Sequence, residues 1–309
     1  MKLPKVMDYE ITPDMKVSEL LEQMMNIGFQ ATEIGRAVEI IESMKREGAT
    51  IFLSFTANMV ASGLRSIFTL LVKKKFVDVI VTTGGAIDHD VIKAVSDYLI
   101  GRFDMDDVDL HKRGVNRLGN ILIPNDRYVK FESIVQKMLS EIYEEKRVIT
   151  PSELIREIGK RIKDEKSFIY WAYVNKIPIF CPGITDSALG LQIFFFKQTH
   201  KDFVIDVTGD MQELADIVFD SKKTGGIILG GGIAKHYTIG VNLLRGGLDY
   251  AVYITTAQPW DGSLSGARTN EAVSWGKIQE KANHVTVYGE ASVIFPLIII
   301  KVFDDLKLW

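Results

Sequence analysis

The feature that most constrains this chain is an alternation of short apolar runs with longer segments whose apolar residues return every three to four positions. The runs cover residues 51–55, 77–83, 120–123, 177–181, 203–207, 225–230, 250–256 and 284–288. Most are nearly continuous in apolar residues, as strands are when helices cover both faces of their sheet. Between them, Ile34, Ala37, Val38, Ile41 and Met44 keep one helical stripe. Val91, Ile92, Val95, Tyr98 and Leu99 keep another, opened by Asp88 and Asp90, where a helix N-terminus favours negative charge. A third segment starts at Pro151 with Thr150 as its N-cap. The pattern predicts an α/β fold, a doubly wound, mostly parallel sheet with helices on both faces. No linker-like tract or internal repeat interrupts it, so residues 1–309 read as a single domain with an N-terminal helical segment over about 15–47.

Composition removes several function classes. Apolar residues at 47% and charged residues at 25% exclude a disordered chain. Lys and Arg total 37 against 40 Asp and Glu, so neither nucleic acid nor an anionic membrane is an expected partner. The one cysteine, Cys181, rules out an internal disulfide and a CxxC zinc site, and no metal is expected. The apolar stretch 293–300 is too short to span a bilayer and contains Pro296. The opening residues carry no apolar leader core, so a cytoplasmic protein is expected.

In an open parallel sheet, ligands bind beyond the carboxyl ends of the strands. Here those ends carry Thr82-Thr-Gly-Gly-Ala86, Pro182-Gly-Ile-Thr-Asp186, Gly231-Gly-Ile-Ala-Lys-His236 and Thr255-Thr-Ala-Gln-Pro-Trp-Asp-Gly-Ser263. Gly230 and Gly232 are followed by Lys235 where a dinucleotide fingerprint needs a third glycine. A tight turn and a phosphate contact therefore both remain open there. His236 reads either as a hydrogen-bonded structural residue or as an acid–base group. Lys277, preceded by Trp275 and Gly276, reads as a solvated lysine or as an amine nucleophile. Glu271, Trp260 and Trp275 could cradle a cation by ion pairing and cation–π contact.

These residues are where the chain resembles the deoxyhypusine synthase family. The likeness runs from Gly28-Phe-Gln-Ala-Thr32 to Phe295-Pro-Leu297, through Thr56-Ala-Asn58, Ser62-Gly-Leu-Arg65, residues 77–83 and Gly114-Val-Asn-Arg-Leu-Gly-Asn120. It is strongest over residues 227–232 with Lys235-His236, and over Asp261-Gly-Ser263, Ser265-Gly-Ala267 and residues 271–278. The resemblance implies a Rossmann-like NAD-binding fold and NAD-dependent aminobutyl transfer. Spermidine is oxidised at a secondary-amine carbon, and the imine passes to an enzyme lysine with release of 1,3-diaminopropane. The butylamine group then moves to one lysine of the precursor of translation factor 5A. By the same resemblance Lys277 is the nucleophile and His236 the active-site histidine. Asp88, His89, Gly231, Gly262, Glu271 and Trp275 fall at substrate-binding positions. Asn58, Thr83, Gly84, Gly85, Asp186, Thr256, Ala257, Asp261, Glu290 and Ala291 fall at NAD-binding positions. The family forms a homotetramer with its sites across a tight dimer interface.

The chain departs from the family pattern at several of the acids that hold the polyamine. Leu191 and Leu264 stand where many members carry an acid, His89 replaces one of two carboxylates, Asp88 keeps the other, and Glu290 replaces an aspartate. Losing a desolvated charge partner costs ~2–5 kcal/mol. The alternative reading is therefore a relative using the same imine chemistry on a small diamine acceptor, forming homospermidine, or drawing on another amine donor.

Overall fold

The structure is a computed structural model that describes residues 3–309. It divides into two compact units, one built from the chain up to Phe55 with Phe76–Val81 and Leu214–Trp309, the other from Thr56–Lys75 and Thr82–Glu213.

The first unit carries strands β1 (Thr50–Phe55), β2 (Val79–Val81), β3 (Thr224–Leu229), β4 (Leu248–Thr255) and β5 (Ile278–Tyr288). All neighbours run parallel, in the order β5-β4-β3-β1-β2. The chain moves from β1 out to β2, then places β3 on the other side of β1. That reversal makes the carboxyl ends of β1 and β3 the switch point of the sheet. Every residue of β3 is buried, and helices cover both of its faces. On one face Gly225 leaves room for Met44 of helix Phe29–Arg46, since a Cβ there would sit 2.7 Å from the Met44 side chain. On the other, Ile239 of helix Gly232–Asn242 and Ala272 of helix Thr269–Ser274 pack with Ile228, Ala251 and Tyr253. The α/β arrangement with a covered parallel sheet is thus the one the apolar runs predict. Residues 293–300 lie inside helix Ala291–Leu306, and among the described residues no helix is long and apolar enough to cross a membrane.

Helices Phe29–Arg46 and Ala291–Leu306 bury Glu42, which pairs with Arg46 at 3.0 Å. Burial, with the neighbouring Asp305 carboxyl second, pushes the Glu42 pKa up to about 7. The folded state therefore holds this proton above the pH at which the unfolded chain releases it. Stability falls as pH rises from the ordinary glutamate range of 4.5 to about 7. Glu42→Gln is expected to flatten that fall, read as thermal midpoints at pH 5, 6, 7 and 8. An unchanged slope would remove Glu42 as its source.

The second unit is mainly helical, and its short strands differ from the sequence pattern in three places. The stripe expected over 91–99 ends early, because helix Gly84–Lys93 stops and Leu99–Ile100 pairs with Leu122 and Ile121 instead. The run 120–123 is not a covered parallel strand. Ile121–Pro124 is the centre of a three-stranded antiparallel sheet, where edge pairing leaves Leu99 and Ile100 exposed. The run 203–207 contributes only Val204–Ile205, which joins Val148–Ile149 in a separate parallel pair. The start at Pro151 does carry its cap: Thr150 Oγ1 accepts the Glu153 N–H, and the Thr150 N–H donates to Glu153 Oε2, each at 3.2 Å.

Candidate active site

The site in the first unit is set by two turns. After β3 the chain passes through Gly230 and Gly232, at φ +82° and +64°, before entering helix Gly232–Asn242. Between them Gly231 lies against Ser265, where a Cβ would fall 2.4 Å from the serine Oγ. The Gly232 N–H donates to that same Oγ at 3.1 Å. Gly266 is tighter still, because a Cβ there would be 1.9 Å from the Gln258 carbonyl oxygen. These close approaches fold the loop after β4 onto the carboxyl end of β3. The turn left open in the sequence is therefore a real tight turn, packed against a second loop.

The second turn explains the Trp-Gly-Lys sequence. Helix Thr269–Ser274 ends with the Gly276 N–H bonded to the Val273 carbonyl at 2.9 Å and the Lys277 N–H bonded to Ala272 at 3.0 Å. This double reversal needs a left-handed residue, and Gly276 supplies it at φ +67°. The chain then turns directly into β5, where the Lys277 carbonyl accepts the Leu248 N–H of β4. Lys277 is thereby fixed at a helix end and a strand start together.

Lys277 Nζ lies 3.3 Å from His236 Nε2 and 5.3 Å from the centroid of the Trp275 ring. Both groups line a cavity of about 240 Å³ with Gly262, Glu271 and Trp275, so five of the sequence candidates meet in one place. Partial burial, then the charge on Lys277, lowers the His236 pKa. The imidazole is accordingly neutral near pH 7, with a lone pair available to an ammonium proton.

No site role is legible in the sequence for Lys235, which there breaks the glycine fingerprint, or for Tyr253, and both line the same cavity. Lys235 is fully buried, with Nζ donating to the Leu264 and Ala267 carbonyls at 2.7 Å each and lying 4.4 Å from the Tyr253 ring centroid. Burial lowers its pKa to about 8, against the opposing pull of Glu271. Burial pushes the Tyr253 hydroxyl pKa up, and the hydroxyl has no hydrogen-bond partner among the described residues.

The other candidates of this unit lie at strand ends. Thr256 and Ala257 follow β4, with the Ala257 N–H bonded to Thr255 Oγ1 at 3.0 Å. Asp261 Oδ1 accepts the Ser263 N–H at 2.7 Å, just before Gly262 at φ +72°. Glu290 follows β5 and caps helix Ala291–Leu306 through the Ser292 N–H at 3.0 Å.

The candidates of the second unit form their own group. Thr83 precedes helix Gly84–Lys93, and its Oγ1 is buried with no hydrogen-bond partner among the described residues. A Cβ on Gly84 would meet Ser187 at 2.5 Å, and one on Gly85 would meet Ala57 at 2.9 Å. Asn58 Oδ1 accepts from Thr56 Oγ1 at 2.6 Å, and Asp186 is exposed. Asp88 and His89 are buried with internal partners. The Asp88 carboxylate accepts the Ala188 and Leu189 N–H groups at 2.7 and 2.8 Å, at the start of helix Ala188–Thr199. Burial pushes its pKa up to about 7 in spite of these donors. His89 Nδ1 lies 2.7 Å from Tyr98 Oη, and burial with Lys93 lowers its pKa to about 4. Leu191 is half exposed on its helix. A larger cavity of about 570 Å³ in this unit is lined by Ile155, Ile169, Tyr173 and Ile177 among others and contains none of the candidate residues, so chemistry, not size, selects the smaller one.

Comparison with known proteins identifies the family. The family model for deoxyhypusine synthase matches residues 19–302. A curated relative from Thermoplasma acidophilum, named "Probable deoxyhypusine synthase", is 47% identical over 95% of this chain and 96% of its own length. One of the same name from Pyrococcus furiosus is 46% identical over 92% of this chain and 89% of its own. A crystal structure from Entamoeba histolytica, whose name places it in the same family, covers 97% of both chains at 30% identity with a TM-score of 0.70. With an amine and an imidazole converging on one cavity and this likeness along nearly the whole sequence, the chain belongs to the deoxyhypusine synthase family.

Proposed function

We propose that this chain transfers an aminobutyl group from an aliphatic polyamine of spermidine's class to a lysine of the precursor of translation factor 5A, through an imine on Lys277. The observation that carries the proposal is the 3.3 Å approach of Lys277 Nζ to a neutral His236 beside Trp275 and Glu271. A lysine attacks carbon only as the free amine. His236 Nε2 is placed to take the ammonium proton and to return it when the imine is resolved. Glu271 supplies the charge for a substrate ammonium, and the Trp275 face adds cation–π attraction. The acceptor is inferred from family membership.

Imine formation needs a hydride acceptor, which a bound nicotinamide dinucleotide supplies. In the first unit Thr256, Ala257, Asp261, Glu290 and Ala291 would hold it, all beyond the carboxyl ends of β4 and β5. By the family resemblance Asn58, Thr83, Gly84, Gly85 and Asp186 of the second unit also fall at NAD-binding positions. The unpartnered Thr83 hydroxyl and the side-chain-free start of helix Gly84–Lys93 suit a phosphate or ribose oxygen.

The test is borohydride reduction of the full-length protein with NAD and spermidine, followed by peptide mass spectrometry. A butylamine adduct on Lys277 that requires NAD is expected. Addition of the factor 5A precursor then discharges it, and no adduct with any amine would overturn the proposal. His236→Gln is expected to slow adduct formation ~10²-fold, as loss of a positioned base does. The deficit narrows as pH rises and hydroxide takes over the proton transfer, whereas a pH-independent deficit would make His236 merely structural.

A further inference from the structure

We infer that Lys93 is a positioning residue for the dinucleotide site, tying together the two helices of the second unit that open on Asn58 and on Thr83–Gly85. This rests on the reading of those residues as NAD-binding. Helix Ala57–Ala61 is five residues long, and a helix leaves its last carbonyls without donors of its own. Lys93 Nζ supplies them, donating to the Val60, Ala61 and Ser62 carbonyls at 3.0, 3.1 and 2.7 Å. An ammonium has three protons, so this cluster uses all of them, and its charge suits the negative end of the helix. Lys93 is itself the last residue of helix Gly84–Lys93. At the other end of the pair, a Cβ on Gly85 would lie 2.9 Å from that of Ala57, so the two helix starts touch. The helices are thus fixed at both ends. Releasing Lys93 frees one end of the shorter helix, and with it the spacing between Asn58 and the Gly84–Gly85 backbone.

The tie is sensitive to protonation. Facing Nζ are Arg65 and Asp90, the Tyr98 ring at 5.6 Å, His89 of its own helix, and Asp97 and Lys166, which line the same hollow. Burial, then Arg65, lowers the Lys93 pKa to about 8 against the pull of Asp90. A neutral amine brings two protons to three carbonyls and no charge. A dinucleotide that selects the tied arrangement therefore binds best below that pH, and its affinity falls as pH rises through it.

The measurements are NAD affinity by calorimetry on the full chain, from about pH 7 to about pH 9.5, and amide hydrogen exchange over residues 57–65 without NAD. The unaltered chain is expected to lose affinity roughly tenfold across that range, the order of one hydrogen bond to a charged group. Lys93→Arg, whose cation keeps its proton, is expected to give a flat series. Lys93→Met is expected to weaken NAD roughly tenfold at pH 7 and to speed exchange over residues 57–65. Half-saturation by spermidine at saturating NAD is expected to stay unchanged. If Lys93→Met does not fold, the two pH series decide alone. Unchanged NAD affinity in Lys93→Met, or the same pH dependence in the unaltered chain and Lys93→Arg, would overturn the inference. Asn58→Ala separates it from the reading beneath. A loss of NAD affinity there keeps that reading standing even where the role of Lys93 falls, and no loss overturns both.

Discussion

Lys277→Ala is expected to abolish the borohydride-stable adduct, a loss on the order of 10⁴-fold or more, because removing a covalent nucleophile leaves binding without the reaction. No neighbour replaces it. The other amine lining the cavity, Lys235, is held by two carbonyls and buried. The fold is expected to survive, since the bonds that shape this turn run through the Lys277 backbone N–H and carbonyl. Thermal stability is expected to change by no more than ~0.5 kcal/mol, as for a surface substitution. Lys277→Arg separates charge from nucleophilicity. It keeps a cation near His236 and Trp275, but a guanidinium does not lose its proton and forms no imine. Both variants are expected to bind amine and fail to trap it. An adduct surviving in either, or appearing on another lysine, would remove Lys277 from the reaction.

Much of this site was readable because its residues follow strand runs. The glycines after β3 and the threonines after β4 sit where a parallel sheet presents its ligand edge, while the Trp-Gly-Lys turn is marked by its own local pattern just ahead of β5. Gly276 shows why local sequence sufficed there, for a helix end with a left-handed residue fixes the next side chain within a few positions. Lys235 shows the opposite. In a helix's first turns a lysine normally reads as solvated, and it is buried here because carbonyls 29 and 32 residues further on close over it. Asp88 likewise looked like a free acid opening a helix. The amides it accepts lie 100 and 101 residues away, in a helix whose position no local pattern encodes. The stripe expected over 91–99 failed for a related reason. Pairing of Leu99–Ile100 with a distant strand overrides a period that sequence alone shows as helical.

The same long-range logic governs the largest expected effect on stability, at Arg65. This arginine is buried, with Nε 2.5 Å from Asp90 Oδ1 and Nη2 2.7 Å from Asp164 Oδ2 and 3.1 Å from the Asp90 carbonyl. Asp90 is fully buried, and its second oxygen accepts Ser167 Oγ at 2.5 Å and the Ile169 N–H at 3.3 Å. Arg65→Met keeps most of the side-chain volume and removes the charge, leaving the Asp90 carboxylate in the interior without its cation. The expected cost is ~3–5 kcal/mol, read as a lower urea midpoint. Asp164 lies partly in water, so Asp164→Asn is expected to cost no more than ~1 kcal/mol. Arg65→Met combined with Asp90→Leu removes both charges, and its remaining loss is the ~1–3 kcal/mol of the Ser167 and Ile169 donors left unpaired. The double variant is therefore expected to be more stable than Arg65→Met alone, because the penalty comes from an uncompensated charge and not from a missing attraction. If the two substitutions simply add, the pair is not coupled and the second unit draws its stability from apolar packing around it.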